Sequence, residues 1–126
     1  MKSLLLAAAG GAIGAAGRYV VGVSAFRLFG PAFPWGTFIV NVTGCFAMGI
    51  LIESLALKYS VSNEVRTFLA TGILGGFTTF SAFALDFAVL LERKSAGISI
   101  IYLTSSVCLS VLALFAGLVV ARAMFQ

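Results

Sequence analysis

One apolar stretch of the sequence, residues 72–83, combines glycines, hydroxyl side chains and phenylalanines in an order that could bind ions. Glycines followed by Thr78 and Thr79 form a continuous helix poorly. Inside a bilayer, a broken helix is tolerated only where protein or a water-filled cavity surrounds it. A break frees backbone carbonyl groups, which are suitable ligands for a small hard cation. We therefore predict a break here with a bound ion; close helix packing at Gly75 and Gly76 is the alternative.

Four phenylalanines recur in this region at a spacing of three and four residues, which predicts an aromatic helix face: Phe77, Phe80, Phe83 and Phe87. Such a face ordinarily contacts lipid or the protein core. Here the rings alternate with Thr79 and Ser81, and the edge of an aromatic ring is electropositive. Ring edges beside hydroxyl donors can solvate a small anion, whereas a fixed positive charge would hold it too tightly for conduction. The pattern indicates an anion pathway.

Two other apolar stretches contribute hydrogen-bond donors. Asn41 lies in the middle of an uncharged run, and its side-chain NH2 group suits an anion; a hydrogen bond between helices explains it equally well. Tyr102, Ser106 and Ser110 stand at i, i+4 and i+8, so their hydroxyl groups share one helix face. A serine in a membrane helix usually bonds the carbonyl of its own preceding turn, but three hydroxyls in register predict a polar track.

Arg18 is the one charge well inside the first apolar stretch. An ionisable residue within a membrane is a functional candidate, so Arg18 could attract anions into a vestibule. Its long side chain could also reach the interface and anchor the helix. We favour a mixture of the two roles. Glu53 and Asp86 stand near the ends of their stretches and are expected at the membrane interface.

The chain that positions these residues is strongly apolar: 61% of its 126 residues are hydrophobic and 10% are charged, against roughly 25% charged in a soluble domain. A spanning helix needs about 20 mostly apolar residues, and four stretches approach or exceed that length. We predict an all-α integral membrane protein with a single domain, residues 1–126, and a third helix broken mid-membrane. The spans are expected at about 3–27, 35–57, 65–91 and 97–122, in the cell inner membrane.

Several classes of protein are excluded by composition. The sequence has no His, and its two Cys, Cys45 and Cys108, lie within predicted spans. It therefore offers neither a zinc site nor a nucleophile–base pair, and no enzyme activity is expected. The net charge of +4 comes from cations scattered at span ends, where membrane proteins ordinarily keep them, so no nucleic-acid partner is expected.

The charges at the span ends nearly balance. With four spans, both termini lie on one side, and the cations divide as Lys2, Lys58, Arg66 and Arg122 on that side and Arg27, Arg93 and Lys94 on the other. An excess of Lys and Arg on one side normally fixes orientation. With almost none, the chain is expected to insert both ways and to form an antiparallel, dual-topology homodimer. The alternative is another bias that fixes one orientation.

In these motifs and their order, the chain resembles the bacterial fluoride channels of the Fluc type, also called CrcB. The resemblance covers the whole chain and rests on three motifs: Gly17-Arg18-Tyr19, Trp35-Gly36-Thr37 through Asn41, and the segment from Gly75 to Phe83. It implies a channel that lets fluoride leave the cell passively and so limits its toxicity. It also implies an antiparallel homodimer with two separate pores.

The resemblance implies sites as well. Backbone carbonyls matching Gly75 and Thr78 of each subunit would hold one structural sodium ion, not transported, at the dimer midplane. The paired rings map onto Phe80 and Phe83, the amide donor onto Asn41, and the polar track onto Tyr102, Ser106 and Ser110. Family members often carry Thr or Ser where this chain has Ala82, so a hydroxyl contact there is absent or supplied by another residue. Fluoride rather than chloride rests on the resemblance alone.

Two other functions fit a short four-helix membrane chain. A small dual-topology multidrug exporter exchanges protons for a cationic drug and needs a membrane-embedded carboxylate. The first span here carries Arg18 where such an exporter would carry Glu. A structural membrane subunit is the other alternative, and it leaves the donor-lined aromatic face unexplained.

Overall fold

The computed structural model describes residues 1–93 and 95–126, which fold into helices joined by short connections. Four segments are long and apolar enough to cross a membrane: Lys2–Phe29, Trp35–Leu57, Asn63–Glu92 and Ala96–Phe125. The prediction of four helices able to span a membrane is thus confirmed. Lys94, one of the cations in the charge balance, lies outside the described residues.

The connections follow from local chemistry. Gly30 ends the first helix with a φ of 75°, a conformation that only glycine adopts readily. Pro31 follows and cannot continue the helix. At the start of the third span, the Ser62 hydroxyl accepts a hydrogen bond from the Val65 N–H (3.2 Å), which satisfies one of the free donors of the first turn.

The third span is divided near its midpoint. Its first half begins as an α-helical turn, Asn63–Arg66, widens into a π-helix, Thr67–Leu74, and ends with Gly75–Phe77. Thr78 and Thr79 then adopt extended conformations, with ψ angles of 158° and 123°. A second half, Phe80–Glu92, continues as α-helix. The third helix is therefore broken at the two threonines, where the sequence predicts a break.

Glycines bring the helices together backbone to backbone. A Cβ atom on Gly117 of the fourth helix would lie 3.1 Å from the Cα of Gly49 in the second helix. A Cβ on Gly72 of the third span would lie 2.9 Å from the Cα of Gly10 in the first. Since lipid tails are as apolar as the helices, association in a membrane depends on such close packing. The glycines therefore fix which helices are neighbours.

A salt bridge joins the ends of the second and fourth helices. Arg122 donates to the Glu53 carboxylate at 3.0 Å, so these two helices run in parallel and finish on the same side. The first helix begins on that side, which places both termini together. The outer faces carry exposed apolar side chains such as Leu4, Val20 and Leu112, as expected where lipid covers the protein.

The predicted aromatic face is divided by the helix break. Phe77 belongs to the first half of the third span, and its ring packs beside Gly17 and Gly44. Phe83 lies in the second half, in a core cluster with Leu90 and Tyr102. Because Thr78 and Thr79 are extended, the second half of the span is rotated about its axis relative to a continuous helix. A spacing of three or four residues therefore does not place side chains of the two halves on one face. The four phenylalanines therefore do not form one continuous stripe.

Candidate functional site at the helix break

Asn41 holds the break from the second helix. Its Oδ1 accepts a hydrogen bond from the backbone N–H of Thr79 (2.7 Å), and its Nδ2 donates to the Thr79 carbonyl (2.9 Å). Both backbone groups of an extended residue are thereby satisfied, as the interior of a bilayer requires. This arrangement uses one of the two Nδ2 protons and leaves the other for a further acceptor. The hydrogen bond between helices is therefore present, and one donor remains.

Arg18 holds the other side of the break from the first helix. Its Nε donates to the carbonyl of Gly76 (3.1 Å), at the end of the first half, where the helix dipole is negative. The guanidinium group therefore lies at the depth of the break, and its anchoring contact is made there. Arg18 and Thr79 also line a cavity of about 550 Å³ between the first two helices and the second half of the third span.

The break leaves backbone carbonyls free. In a continuous helix the Thr79 N–H would donate to the Gly75 carbonyl, but it donates to Asn41 instead. In the part of the chain that the structure describes, the carbonyl oxygens of Gly75 and Thr78 have no hydrogen-bond partner. Uncharged oxygens of this kind are ligands for hard cations. The two residues expected to bind sodium thus have oxygens available.

The second half of the third span starts with free N–H groups. The Thr79 hydroxyl caps it by accepting from the Ala82 N–H (3.1 Å), and lies 3.4 Å from the Ser81 hydroxyl. Among the described residues, the N–H groups of Phe80 and Ser81 have no hydrogen-bond partner. A helix N-terminus carries a partial positive charge, so the backbone adds positive potential at the break to that of the Arg18 guanidinium.

A groove of about 300 Å³ opens beside this N-terminus. It brings together six of the eight residues predicted to form a pore, which are Asn41, Thr79, Phe80, Phe83, Ser106 and Ser110. Its other described lining residues are also uncharged: Cys45, Thr78, Val107 and Val111. An anion in the groove would therefore meet neutral donors and aromatic rings.

The two serines of the groove are distinguished by hydroxyl groups that lack partners. Ser106 and Ser110 have buried Oγ atoms with no hydrogen-bond partner among the described residues. Nearby serines of the same helix behave differently: Ser99 donates to the Ser95 carbonyl (2.7 Å) and Ser105 to the Ile101 carbonyl (2.6 Å). A buried hydroxyl left unpaired costs about 1–3 kcal/mol. Ser106 and Ser110 are thus placed to bind a ligand or water.

The two paired rings occupy different positions in the groove. Their centroids are 5.6 Å apart with an interplanar angle of 58°. Phe83 is 5% exposed and Phe80 is 76% exposed, so Phe83 forms the inner wall and Phe80 stands at the mouth. The angle lies between those of a stacked pair and an edge-to-face pair, both of which aromatic rings favour.

Tyr102 and Ser81 lie outside the groove. The Tyr102 hydroxyl donates to the Asp86 carboxylate (3.1 Å), and the Tyr102 ring packs against Phe83 with centroids 5.2 Å apart. Tyr102 is fully buried, so it supports the inner ring. Asp86, expected at the interface, has a hydrogen-bond partner inside the bundle and lines a separate cavity of about 360 Å³.

Sequence reasoning missed three of these contacts: Arg18 to Gly76, Asn41 to the Thr79 backbone, and Asp86 to Tyr102. For the last, a signal was available, since a carboxylate in an apolar run requires a donor and the next span offers a tyrosine. For the first two, the partner groups are backbone N–H and carbonyl groups, which every residue type carries and which the sequence therefore does not single out.

Comparison with known proteins identifies the family of this chain. Residues 5–118 match the family described as CrcB-like protein, Camphor Resistance (CrcB). A protein of Chelativorans sp. (strain BNC1) named fluoride-specific ion channel FluC is 57% identical, covering 97% of this chain and 98% of the relative. The proteins of that name from Agrobacterium fabrum and Caulobacter sp. (strain K31) are 50% and 52% identical, covering 99–100% of both chains. The chain therefore belongs to the CrcB-like family.

Proposed function

We propose that this chain is a fluoride channel of the bacterial inner membrane that lets fluoride leave the cell passively and so limits its toxicity. The groove beside the helix break carries the proposal, because donors from three spans meet there without a charged side chain. The full-length similarity to proteins named fluoride-specific ion channels supports the choice of ion. The chain acts as a conduit and not as an enzyme.

The groove suits an ion that binds water very strongly. Such an ion enters a pore only if many contacts replace its hydration shell, and it leaves only if none of them is too strong. The remaining Asn41 N–H, the Ser106 and Ser110 hydroxyls and the edges of the phenylalanine rings each supply a modest contact. The N-terminus of the second half of the third span adds a partial positive charge. Together these groups can hold fluoride without trapping it.

Anion efflux from liposomes that contain the purified full-length protein tests the proposal. We expect fluoride efflux well above that of protein-free liposomes, and little chloride efflux under the same gradient. Equal efflux rates for fluoride and chloride would show that the protein is a small-anion channel that does not select fluoride. Absence of efflux would favour the structural subunit, and proton-driven uptake of a cationic drug would favour the exporter.

We further propose that two chains form an antiparallel homodimer. Phe80 at the groove mouth is 76% exposed and Gly75 is exposed in the single chain, so the pathway and the free carbonyls both lie at a surface that a second copy could cover. Closed two-fold pairing is the commonest arrangement of homo-oligomers. The near balance of Lys and Arg residues at the two sets of span ends supports pairing between oppositely oriented copies.

The expected orientation of the chain is therefore mixed. Because the loop cations nearly balance, copies should insert in both directions in roughly equal amounts. A tag at the C-terminus, probed for accessibility from each side of the membrane, measures the ratio. Adding two lysines after Gln126 supplies a control, because they should bias insertion toward one direction. A single orientation in the unmodified chain would contradict the antiparallel pair.

We also propose that Gly75 and Thr78 of both subunits hold a structural sodium ion. Their free carbonyl oxygens support this, and the ion would neutralise the negative ends of dipoles at the break. Removing sodium should reduce dimer integrity or fluoride efflux, while sodium itself should not cross the membrane. Size-exclusion chromatography and efflux, each after exchange of sodium for N-methylglucamine, provide the measurement. Sodium flux accompanying fluoride, or full activity after thorough sodium removal, would contradict the proposal.

A further inference from the structure

A second polar cavity, unrelated to the groove, lies where the second helix meets the third span. It has a volume of about 270 Å³ and is lined by Leu55–Leu57 at the helix end, by the connecting residues 58–61, and by Arg66. The second helix ends on the side that holds both termini, at the membrane surface. The cavity is therefore positioned at the level of lipid headgroups.

Donors and positive charge are among the groups that line this cavity. Lys58 and Arg66 both line it and are exposed. Within residues 1–93 and 95–126, neither forms a salt bridge, and the backbone N–H groups of Ser60 and Val61 have no hydrogen-bond partner. Two cations and two free amides around one cavity are the usual binding groups for a phosphate oxygen.

The last turn of the second helix contributes acceptors to the lining. The Tyr59 N–H donates to the Ser54 carbonyl (3.0 Å) rather than to that of Leu55, so in the described part of the chain the carbonyls of Leu55, Ala56 and Leu57 are free. These acceptors form the negative end of a helix dipole. A free inorganic ion would meet repulsion there. A ligand that carries both a phosphate and hydroxyl groups would satisfy the donors and the acceptors together.

Aromatic contacts fix the connection next to the cavity. The rings of Tyr59 and Phe125 meet edge to face with centroids 5.6 Å apart, and the Lys58 Nζ lies 5.7 Å from the Phe125 centroid. Tyrosine is typical of the membrane–water interface. These contacts pack the connection that carries Lys58 against the end of the fourth helix, and Lys58 also lines the cavity.

We propose that this cavity binds the headgroup of an anionic phospholipid with a hydroxyl-bearing end, such as phosphatidylglycerol. The phosphate lies between Lys58 and Arg66 and accepts from the Ser60 and Val61 amides. The headgroup hydroxyls donate to the free carbonyls of the second helix. The site is independent of the anion pathway.

Native mass spectrometry of the full-length protein in detergent, titrated with phosphatidylglycerol, tests the proposal. Each cation near a membrane surface contributes about 1 kcal/mol, or about fivefold in affinity. Lys58→Gln and Arg66→Gln should therefore each weaken binding about fivefold, and the double variant about 25-fold. Lys2→Gln, which removes an exposed cation from the same side but away from the cavity, is the matched control and should change little. Circular dichroism and size-exclusion profiles establish that the variants are folded.

The competing ligands separate the possible sources of the phosphate. Phosphatidylethanolamine, which is neutral overall, and millimolar inorganic phosphate should each displace phosphatidylglycerol poorly. Unchanged binding of phosphatidylglycerol in the double variant would overturn the proposal. An equal loss of affinity in Lys2→Gln would also overturn it, because it would show that any cation on that surface attracts the lipid. Displacement by inorganic phosphate as effective as by the lipid would assign the site to a free ion instead.

Discussion

Replacing Asn41 with alanine is expected to lower fluoride efflux by about 10- to 100-fold. A hydrogen bond to a charged group contributes about 1.5–3 kcal/mol, and each 1.4 kcal/mol is a factor of ten. The variant loses the donor that remains after Asn41 has bonded Thr79. It also leaves the Thr79 N–H and carbonyl without partners, at about 1–3 kcal/mol for each group. Efflux from liposomes and the dimer fraction on a sizing column are the two measurements.

Thr43→Val is the matched control for Asn41→Ala. Thr43 lies on the same helix, is exposed, and donates its hydroxyl to the carbonyl of its own preceding turn, Ile39 (2.6 Å). Its loss should leave efflux unchanged. If Asn41→Ala fails to form dimers while the remaining channels conduct normally, Asn41 serves only to join helices. Normal efflux with normal assembly would remove Asn41 from the pathway.

Replacing a ring of the phenylalanine pair with isoleucine is expected to reduce fluoride efflux sharply, by up to about tenfold if one ring-edge contact of about 0.5–1.5 kcal/mol is lost. Isoleucine keeps an apolar side chain but deletes the electropositive ring edge. Phe80→Ile should leave stability nearly unchanged, because Phe80 is 76% exposed. Phe83→Ile opens space in the core beside Tyr102 and should cost about 1–2 kcal/mol. Efflux normalised to the amount of assembled protein separates the two effects.

Phe115→Ile is the control for the phenylalanine pair. Phe115 is 57% exposed on the fourth helix and does not line the groove. Its replacement tests whether losing any exposed ring disturbs the channel. We expect reduced efflux in at least one of the two groove variants and unchanged efflux in the control. Full fluoride conduction in both groove variants, with selectivity over chloride intact, would assign Phe80 and Phe83 to ordinary packing.

The helices and the break were predictable because both depend on local properties. Four uncharged apolar stretches can be satisfied in a bilayer only as helices. The break follows from the poor helix propensity of glycine and threonine in sequence and from the ability of the Thr79 hydroxyl to cap a new helix. Ser106 and Ser110 line the same groove, as residues four apart on one uninterrupted helix can.

The tertiary contacts of the site were not predictable, because they join distant residues in a register that one sequence does not specify. Arg18 and Gly76 are 58 residues apart, and Asn41 and Thr79 are 38 apart. Periodicity also failed between Phe77 and Phe80, since the break rotates one half of the span relative to the other. Tyr102 shares the spacing of the two serines, yet its longer side chain reaches Asp86.

The two residues that hold the break have a consequence for the order in which the protein is built. Arg18 and Asn41 both precede the third span in the chain, in the first and second helices. During synthesis from the N-terminus, the third span therefore enters a bilayer that already contains its two partners. The backbone N–H and carbonyl groups of Thr79 can then form hydrogen bonds with Asn41 as the span inserts. These groups therefore need not remain unpaired in lipid. The first two helices thus serve as a template on which the third span acquires its interruption.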